Sequence, residues 1–481
     1  MVPGANGGAN GETSLGENLT HGLGFITETS RDMVRPHSSR ITERDMAAEN
    51  WNRKTWALAG PVIISNISVP LLGAVDTAVV GHLPGPHYLG GVAVGALIFN
   101  VIYHGCNFLR MGTTGLTAQS LGAGNPDEVR GWLARAGLLA LAVGVVLVAI
   151  QAPVIWASLE VVNPGPQVRP LTEAYFSIRI WGAPFALLNF ALLGWFFGIQ
   201  NTRAALATQV FMNGANIVLD LWFVLGLGWG VEGVAWATLI SEVGAVALGL
   251  VLVGRNLRRI GGHLHPARIV DGKRLARMVR VNGDIFIRSM CLQAAFVTVT
   301  AIGARLGDVV LAANAVLLNF HMFTSYALDG FANAAEALTG EAVGGRNRER
   351  FRRAVKATSL WALIFSAVFS LFYLAAGPFL IDLLTGVEGV REAARAYLPW
   401  VVVLPLVSVW SFQLDGIFIG STWTAEMRNG MAMSLVAFAV ALFVLVPNLG
   451  NHGLWLAFCL FMVARALTLG AVYPRLERTV G

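Results

Sequence analysis

Charged residues are scarce in this chain. Asp, Glu, Lys and Arg make up 13% of its 481 residues, whereas 55% are hydrophobic. Soluble domains carry roughly a quarter charged residues, so this composition excludes an ordinary soluble protein. Apolar runs of about 20 residues, long enough to cross a bilayer, recur from Trp56 almost to the end of the chain. Charged or Gly/Pro clusters divide them into twelve, which predicts an all-α polytopic membrane protein with twelve transmembrane helices.

Cysteine is also rare. Cys106, Cys291 and Cys459 lie singly in apolar segments, without the paired spacing that is typical of a metal or redox site. We therefore expect small buried residues and no metal or cofactor. Catalytic motifs are missing too, because the sequence contains no HExxH, nucleophile elbow, kinase loop or Walker motif. These absences argue against an enzyme and against direct ATP hydrolysis.

The formal net charge is +6. The positions of the cations along the chain indicate whether this charge favours binding to nucleic acid or a position in a membrane. Most Lys and Arg residues fall on alternate connections, most densely within 255–280 and 346–356. This asymmetry follows the positive-inside rule and predicts a multi-pass protein of the inner (plasma) membrane with both termini cytoplasmic. The lipid bilayer, and not nucleic acid, is then the expected partner. The cations assigned to the opposite connections are Arg169, Arg305, Arg391 and Arg395.

The two halves of the chain repeat. "TAQSLGAGNPDEVRGWLARA" from Thr117 aligns with "TGEAVGGRNRERFRRAVKAT" from Thr339, an offset of 222 residues (339 minus 117). The same offset relates Gly194 to Gly416. Six crossings per half is an even number, so both halves start on the same side of the membrane. The sequence therefore predicts two six-helix bundles related by a pseudo-two-fold axis along the membrane normal, as in some secondary transporters.

The repeat and the charged connections set the predicted domain boundaries. Residues 1–50 are rich in Gly and polar residues and indicate a flexible cytoplasmic tail. The N-terminal bundle is assigned to 51–257, the cytoplasmic linker to 258–275, the C-terminal bundle to 276–474 and a second cytoplasmic tail to 475–481.

Polar residues inside the apolar runs are the candidate functional residues, since they are costly in a bilayer. Asp76 is the one ionisable residue in the first run. Asn216 and Asp220 are four residues apart in the fifth run and therefore share one helical face. Thr238 in the sixth run and Tyr175 in the fourth can complete a polar pocket with them.

Two buried carboxyl groups in one site suit proton coupling. Removal from water and a neighbouring carboxylate both favour the protonated form, which brings titration toward neutral pH. Such a pair titrates as a unit, so a proton is not assigned to one of its members. Carboxylate and amide oxygens also suit Na⁺, a hard cation. These residue types by themselves suit either ion.

Several motifs carry a family resemblance. The segments "ALAGPVIISNISVPLLGAVDTAVVGHL", "GIQNTRAAL", "NGDIFIRSMCLQ" and "LLNFHMFTSYALDGFANAAEALTGEAVG" resemble the multidrug and toxic compound extrusion (MATE) transporters, specifically the DNA-damage-inducible protein F (DinF) branch. The resemblance covers roughly residues 50–475. It implies two six-helix bundles, a V-shaped cavity, and export of organic, often cationic, compounds against an inward proton or sodium gradient.

The resemblance also implies roles for residues of the first bundle. In this branch an aspartate on helix one, an asparagine and an aspartate one turn apart on helix five, a threonine on helix six and a tyrosine on helix four form the cation or proton site. Asp76, Asn216, Asp220, Thr238 and Tyr175 match that pattern residue by residue. Na⁺ at Asp76, Asn216, Asp220 and Thr238 is the alternative to a proton.

The second bundle departs from the pattern of sodium-linked relatives. Members of the NorM branch use acids on helices seven and ten, whereas here Arg288 lies deep in helix seven and Asp284 lies near its cytoplasmic start. We expect Arg288 to pair with Asp329 or Asp415, either as a structural brace or as a gate. Histidine in water titrates near neutral pH, so His321 is a candidate proton relay, although a packing role is the alternative.

The sequence thus predicts a secondary active multidrug efflux antiporter. It exports organic, often cationic, compounds in exchange for inward protons by alternating access, with Asp76 and Asp220 as the coupling acids and no cofactor besides the H⁺ gradient. One alternative is sodium coupling in the same family. Another is a lipid-linked precursor flippase, which requires a strongly basic cavity for phosphate. We expect small-molecule substrates, no obligate protein partner and a monomer.

Overall fold

The computed structural model describes residues 50–481, except for the side chains of residues 69–71 and 74. All of the predicted tail but residue 50 lies outside the described residues. Long helices follow one another along the chain: α1 Trp51–Gly81, α2 Pro86–Gly122, α3 Pro126–Ala149, α4 Arg169–Gly198, α5 Thr202–Gly226, α6 Gly230–Ile260, α7 Gly272–Arg305, α8 Asp308–Gly344, α9 Arg348–Leu384, α10 Glu388–Gly420, α11 424–449 and α12 451–478. Shorter helices cover Gln151–Val162 and Pro266–Ile269.

The number of membrane crossings follows from helix length and composition. Ten described helices are long and apolar enough to span a bilayer when Thr424–Arg478 is counted as one. That stretch contains two helices, α11 and α12, because Gly450 has non-helical angles (φ 55°, ψ −130°). α1 adds the twelfth crossing, with 31 residues and no charged side chain from Thr55 to Val75. The predicted twelve-helix membrane fold is confirmed.

The backbone repeats with the sequence. Gly124 and Arg346, 222 residues apart, both have left-handed angles (φ 65° and 49°). Gln200 and Thr422 form a second such pair (φ 60° and 55°). Non-glycine residues adopt these angles rarely, so their recurrence at one offset shows that each half folds in the same local way.

The two halves cross closely at the ends of α2 and α8. Gly122 lies against the carbonyl group of Glu341, and Gly344 lies against the carbonyl group of Gln119. The offset of the repeat relates both glycines and both carbonyl residues, so these contacts are symmetric about the pseudo-two-fold axis. A β-carbon at either glycine would collide with backbone. Glycine is therefore required by the crossing itself.

Polar contacts place the start of α1 and the end of α12 on one side of the molecule. Glu341 lies 3.4 Å from Lys54 Nζ near the start of α1 and accepts a 2.6 Å hydrogen bond from Gln200. Glu477 near the end of α12 pairs with Arg352 of α9 at 2.6 Å. An even number of crossings requires the start of α1 and the end of α12 to lie on the same side of the membrane. It is the side that the charge distribution predicts to be cytoplasmic.

The connection between the halves lies along α3. Arg130 donates hydrogen bonds to the carbonyl oxygens of Leu257 and Gly261, both at 2.6 Å. Arg135, also on α3, donates to the carbonyl oxygen of Arg268 at 2.9 Å. The short helix Pro266–Ile269 lies within this connection. The linker is thus held to the N-terminal half by arginine side chains.

A buried amide pair fixes α8 against α12. Asn314 and Asn451 exchange side-chain hydrogen bonds of 2.8 and 2.9 Å, and Trp455 donates to Asn314 at 2.9 Å. Asn314→Leu leaves the other two groups without their partner, so we expect the free energy of unfolding to fall by about 1 to 3 kcal/mol. Unfolding by SDS in mixed micelles measures this change. Asn319→Leu on the same helix is the control, because the exposed Asn319 side chain bonds only a carbonyl of its own helix.

Candidate functional site

The five residues predicted for the N-terminal site come from four helices of the first bundle. Asp220 is fully buried, and its carboxyl group lies close enough to that of Asp76 for the two to interact electrostatically. Asn216, one turn before Asp220, lies 3.5 Å from the Thr238 hydroxyl. Tyr175 is close enough to interact electrostatically with both aspartates. The structure therefore brings α1, α4, α5 and α6 together around one pair of acids.

In the described part of the chain, three of the four oxygens of the facing carboxyl groups have no hydrogen-bond donor. Among the described residues, none donates to either oxygen of Asp220 or to Oδ1 of Asp76. Buried polar atoms are nearly always hydrogen-bonded, so such exceptions require an explanation. Two ionised carboxylates that face each other in a buried site repel each other, whereas one proton or one cation between them makes the arrangement favourable. The geometry therefore suits a site that binds a proton or a small cation.

The backbone changes conformation directly after Asp220. The end of α5, Leu221–Gly226, forms a π-helix. Such segments are rare and occur frequently at functional sites, because the wider turn reorients the side chains around it. Asp220 thus lies at the junction of two helix types and not within a uniform helix.

Two charged residues of this site are absent from the sequence-based prediction. Arg179 of α4 donates a 3.2 Å hydrogen bond to the Tyr175 hydroxyl and lies 4.0 Å from Glu242 of α6. Arg179 and Glu242 are ionisable residues inside apolar runs. The same feature of the sequence identifies Asp76. The guanidinium carbon of Arg179 also lies within 4.6 to 5.8 Å of three ring centroids, those of Phe99, Tyr175 and Tyr103.

The polar residues of the second bundle form a separate cluster. Asp415 of α10 accepts hydrogen bonds from Arg288 of α7 and, at 2.6 Å, from Arg465 of α12. Of the two partners that the sequence allows for Arg288, the structure selects Asp415. Asp329 of α8 lies within electrostatic range of these charges. Arg465, another cation inside an apolar run, is absent from the sequence-based prediction. The role of Arg288 as a brace or a gate remains a prediction.

His321 lies in an aromatic environment. Its side chain is buried, and its ring lies 5.5 Å from that of Phe458 and 6.0 Å from that of Phe296. Within the described part of the chain, neither ring nitrogen has a hydrogen-bond partner. These contacts are those of a packing residue; the relay role of His321 remains a prediction.

A further polar contact joins the two halves. Arg110 of α2 lies 2.5 Å from the Asn333 side-chain oxygen and 3.9 Å from Glu336, both on α8. Arg110 is a further residue that sequence reasoning missed. Because it pairs across the halves, its interaction changes whenever the bundles move relative to each other.

Removal of the negative charge of Asp415, which Arg288 and Arg465 share, should strongly destabilise the protein. Asp415→Asn leaves two buried guanidinium groups without their anion, so we expect the free energy of unfolding to fall by about 3 to 5 kcal/mol. Asp382→Asn is the matched control, because Asp382 pairs with Arg395 at a site where both side chains are more than one-third exposed. Exposed pairs contribute about 0 to 1 kcal/mol. Equal losses in SDS-induced unfolding of the two variants would contradict the prediction.

Comparison with known proteins agrees with this architecture. The MatE family profile matches residues 61–222 and 285–447, once in each half. DNA damage-inducible protein F of Escherichia coli (strain K12) is 44% identical over 428 residues, which cover 88% of this chain and 92% of that protein. A probable multidrug resistance protein NorM of Xanthomonas campestris pv. campestris is 26% identical, covering 93% of this chain and 98% of that protein.

Solved structures share the fold. The outward-facing structure of a multidrug resistance MATE family transporter of the MOP superfamily superimposes with a TM-score of 0.82 and 20% sequence identity. The match covers 92% of this chain and 99% of the other. The predicted family resemblance is confirmed by the profile and by the Escherichia coli relative. This chain therefore belongs to the MATE family, whose members are membrane transporters and not enzymes.

Proposed function

We propose that this chain is a secondary active antiporter that exports organic, often cationic, compounds in exchange for inward protons, with Asp76 and Asp220 as the coupling acids. The observation that carries this proposal is the pair of facing carboxyl groups, which have no hydrogen-bond donor among the described residues at three of their four oxygens. The names of the relatives, which refer to multidrug resistance, support the substrate class.

Proton binding and bundle movement are linked in this proposal through α1 and α5. A proton between Asp76 and Asp220 allows the two helices to stay close, because one carboxyl group then donates to the other. Loss of that proton leaves two negative charges in contact and pushes the helices apart. Asn216, bonded to Thr238, fixes the face of α5 that presents Asp220. The chain alternates access as the pair gains protons from outside and releases them inside.

Charge distinguishes this proposal from the flippase alternative. Asp76, Asp220 and Glu242 supply three carboxyl groups to the N-terminal site, whereas Arg179 supplies one cation. A phosphate headgroup requires an excess of positive charge, whereas a proton and an organic cation are favoured by an excess of carboxylates. We propose the orientation with both termini in the cytoplasm, operation as a monomer, and location in the inner (plasma) membrane.

Transport in proteoliposomes tests the proposal. The purified protein is reconstituted, a pH gradient is imposed, and movement of a fluorescent organic cation is followed with and without Na⁺. We expect transport that requires the pH gradient and is indifferent to Na⁺. A requirement for Na⁺ with no response to pH would assign the same oxygen atoms to sodium. Transport that depends neither on the pH gradient nor on Na⁺ would reject ion-coupled antiport.

A further inference from the structure

We infer that Arg179 is a counter-ion built into the N-terminal site, which moves from Glu242 to the Asp76–Asp220 pair when that pair loses its proton. This inference rests on the proposed proton coupling and extends it to a residue outside the predicted site. Arg179 acts on the transported ion through the two aspartates, so it is a positioning residue.

The contacts of Arg179 are few for a guanidinium with a mostly buried side chain. Its ion pair with Glu242 spans 4.0 Å, and its side chain is 15% exposed. Its Nε atom has no hydrogen-bond partner among the described residues, and neither has the Oε2 atom of Glu242. A structural arginine typically forms short bidentate bonds with its carboxylate. The Arg179–Glu242 pair is therefore loose enough to be exchanged.

Aromatic rings provide a surface along which the charge can move. Phe99 lies 4.6 Å from the guanidinium carbon, and the rings of Tyr175 and Tyr103 lie 5.7 and 5.8 Å away. Cation–π contacts attract the charge without fixing its direction. Gly182 leaves space beside Glu242, because a β-carbon there would collide with the carboxylate. To reorient, Arg179 gives up one 3.2 Å hydrogen bond to the Tyr175 hydroxyl and the 4.0 Å ion pair with Glu242.

The ionisable groups around Arg179 come from every helix of the site. Asp76 of α1 and Asp220 of α5 both lie within electrostatic range of Arg179. Glu242 of α6, Tyr103 of α2 and Tyr175 of its own helix face it as well. When the aspartate pair holds one proton, the pair and Glu242 each carry one negative charge. When the proton leaves, the pair carries two and attracts Arg179 more strongly than Glu242 does.

The pH profile of transport tests this exchange. In Arg179→Gln the aspartates lose a stabilising positive charge and hold their proton more tightly, so we expect the pH of half-maximal transport to rise by about one unit. Glu242→Gln removes the competing anion, so the midpoint should fall. Arg179→Lys keeps the charge and should stay close to wild type. Arg169→Gln, an exposed arginine at the start of α4, is the matched control and should not shift the midpoint.

Opposite shifts in the first two variants separate a counter-ion from a purely structural residue. A structural arginine would lower the maximal rate and leave the midpoint unchanged in both. That result, or shifts in the same direction, would overturn the inference while leaving proton coupling intact. If Arg179→Gln does not fold, the inference is tested with Arg179→Lys and Glu242→Gln. An unchanged pH midpoint of transport in Glu242→Gln would then reject the exchange. Wild-type transport without pH dependence would instead reject the proposed function.

Discussion

Asp220→Asn should reduce pH-driven transport to the level of protein-free liposomes while the protein remains folded. The asparagine side chain has nearly the same volume as aspartate, and its amide group can donate a hydrogen bond to the Asp76 carboxylate, which no described donor supplies at Oδ1 in the wild type. We therefore expect the free energy of unfolding at neutral pH to be unchanged or higher. Loss of transport together with retained stability identifies a coupling residue.

The control for this prediction is a carboxylate outside the site. Asp382→Asn makes the same chemical change at a carboxylate paired with Arg395 on the opposite side of the protein from Glu341, and transport should be retained. Asp76→Asn should behave as Asp220→Asn does, because the two acids bind the proton together. Full transport in Asp220→Asn would move ion coupling to the second bundle.

Gly122→Ala should have the second large effect, since it blocks the crossing of α2 and α8. The added β-carbon would overlap the carbonyl oxygen of Glu341, and in Gly344→Ala it would overlap that of Gln119. Backbone cannot yield as a flexible side chain can, so the observed closed arrangement of these helix ends should be lost. We expect little or no transport from either variant, because a carrier that cannot close one side cannot alternate.

Hydrogen–deuterium exchange measures where the change occurs. Amide exchange should increase at the ends of α2 and α8 and in the contacts around Glu341, while α4 and α5 remain protected. Gly254→Ala in α6 is the control, because a β-carbon at Gly254 meets no atom within 4 Å and alanine favours a helix. Equal exchange in Gly122→Ala and Gly254→Ala would show that the crossing does not determine closure.

Composition and periodicity were sufficient to predict the fold. A chain that is 13% charged and has twelve apolar runs must satisfy its backbone hydrogen bonds within helices once it lies in a bilayer. The repeat then relates the halves, and structurally equivalent contacts such as those of Gly122 and Gly344 follow the same offset. These properties are local or periodic, so they are visible before any tertiary contact is known.

Part of the site could also be predicted from spacing. Asn216 and Asp220 share a helical face because they are four residues apart, and the structure places both in the interior. Asp76, on a separate helix, is joined to them in the sequence only by the family pattern. Its approach to Asp220 depends on how α1 packs against α5. The same limit applies to Arg288, for which the sequence left two partners and helix packing selected Asp415.

The sequence by itself determined the helical membrane fold, its internal repeat and the presence of Asp76 and Asp220 within apolar helices. The tertiary structure alone decided which charges meet. Arg179 lies on α4 and Glu242 on α6, while Asp415 receives Arg288 from α7 and Arg465 from α12. The partner of a single charged residue in an apolar helix cannot be predicted from residue spacing, because one residue forms no periodic pattern. Helix packing supplies the partner, because a buried charge is stable only where another helix brings the opposite charge within reach.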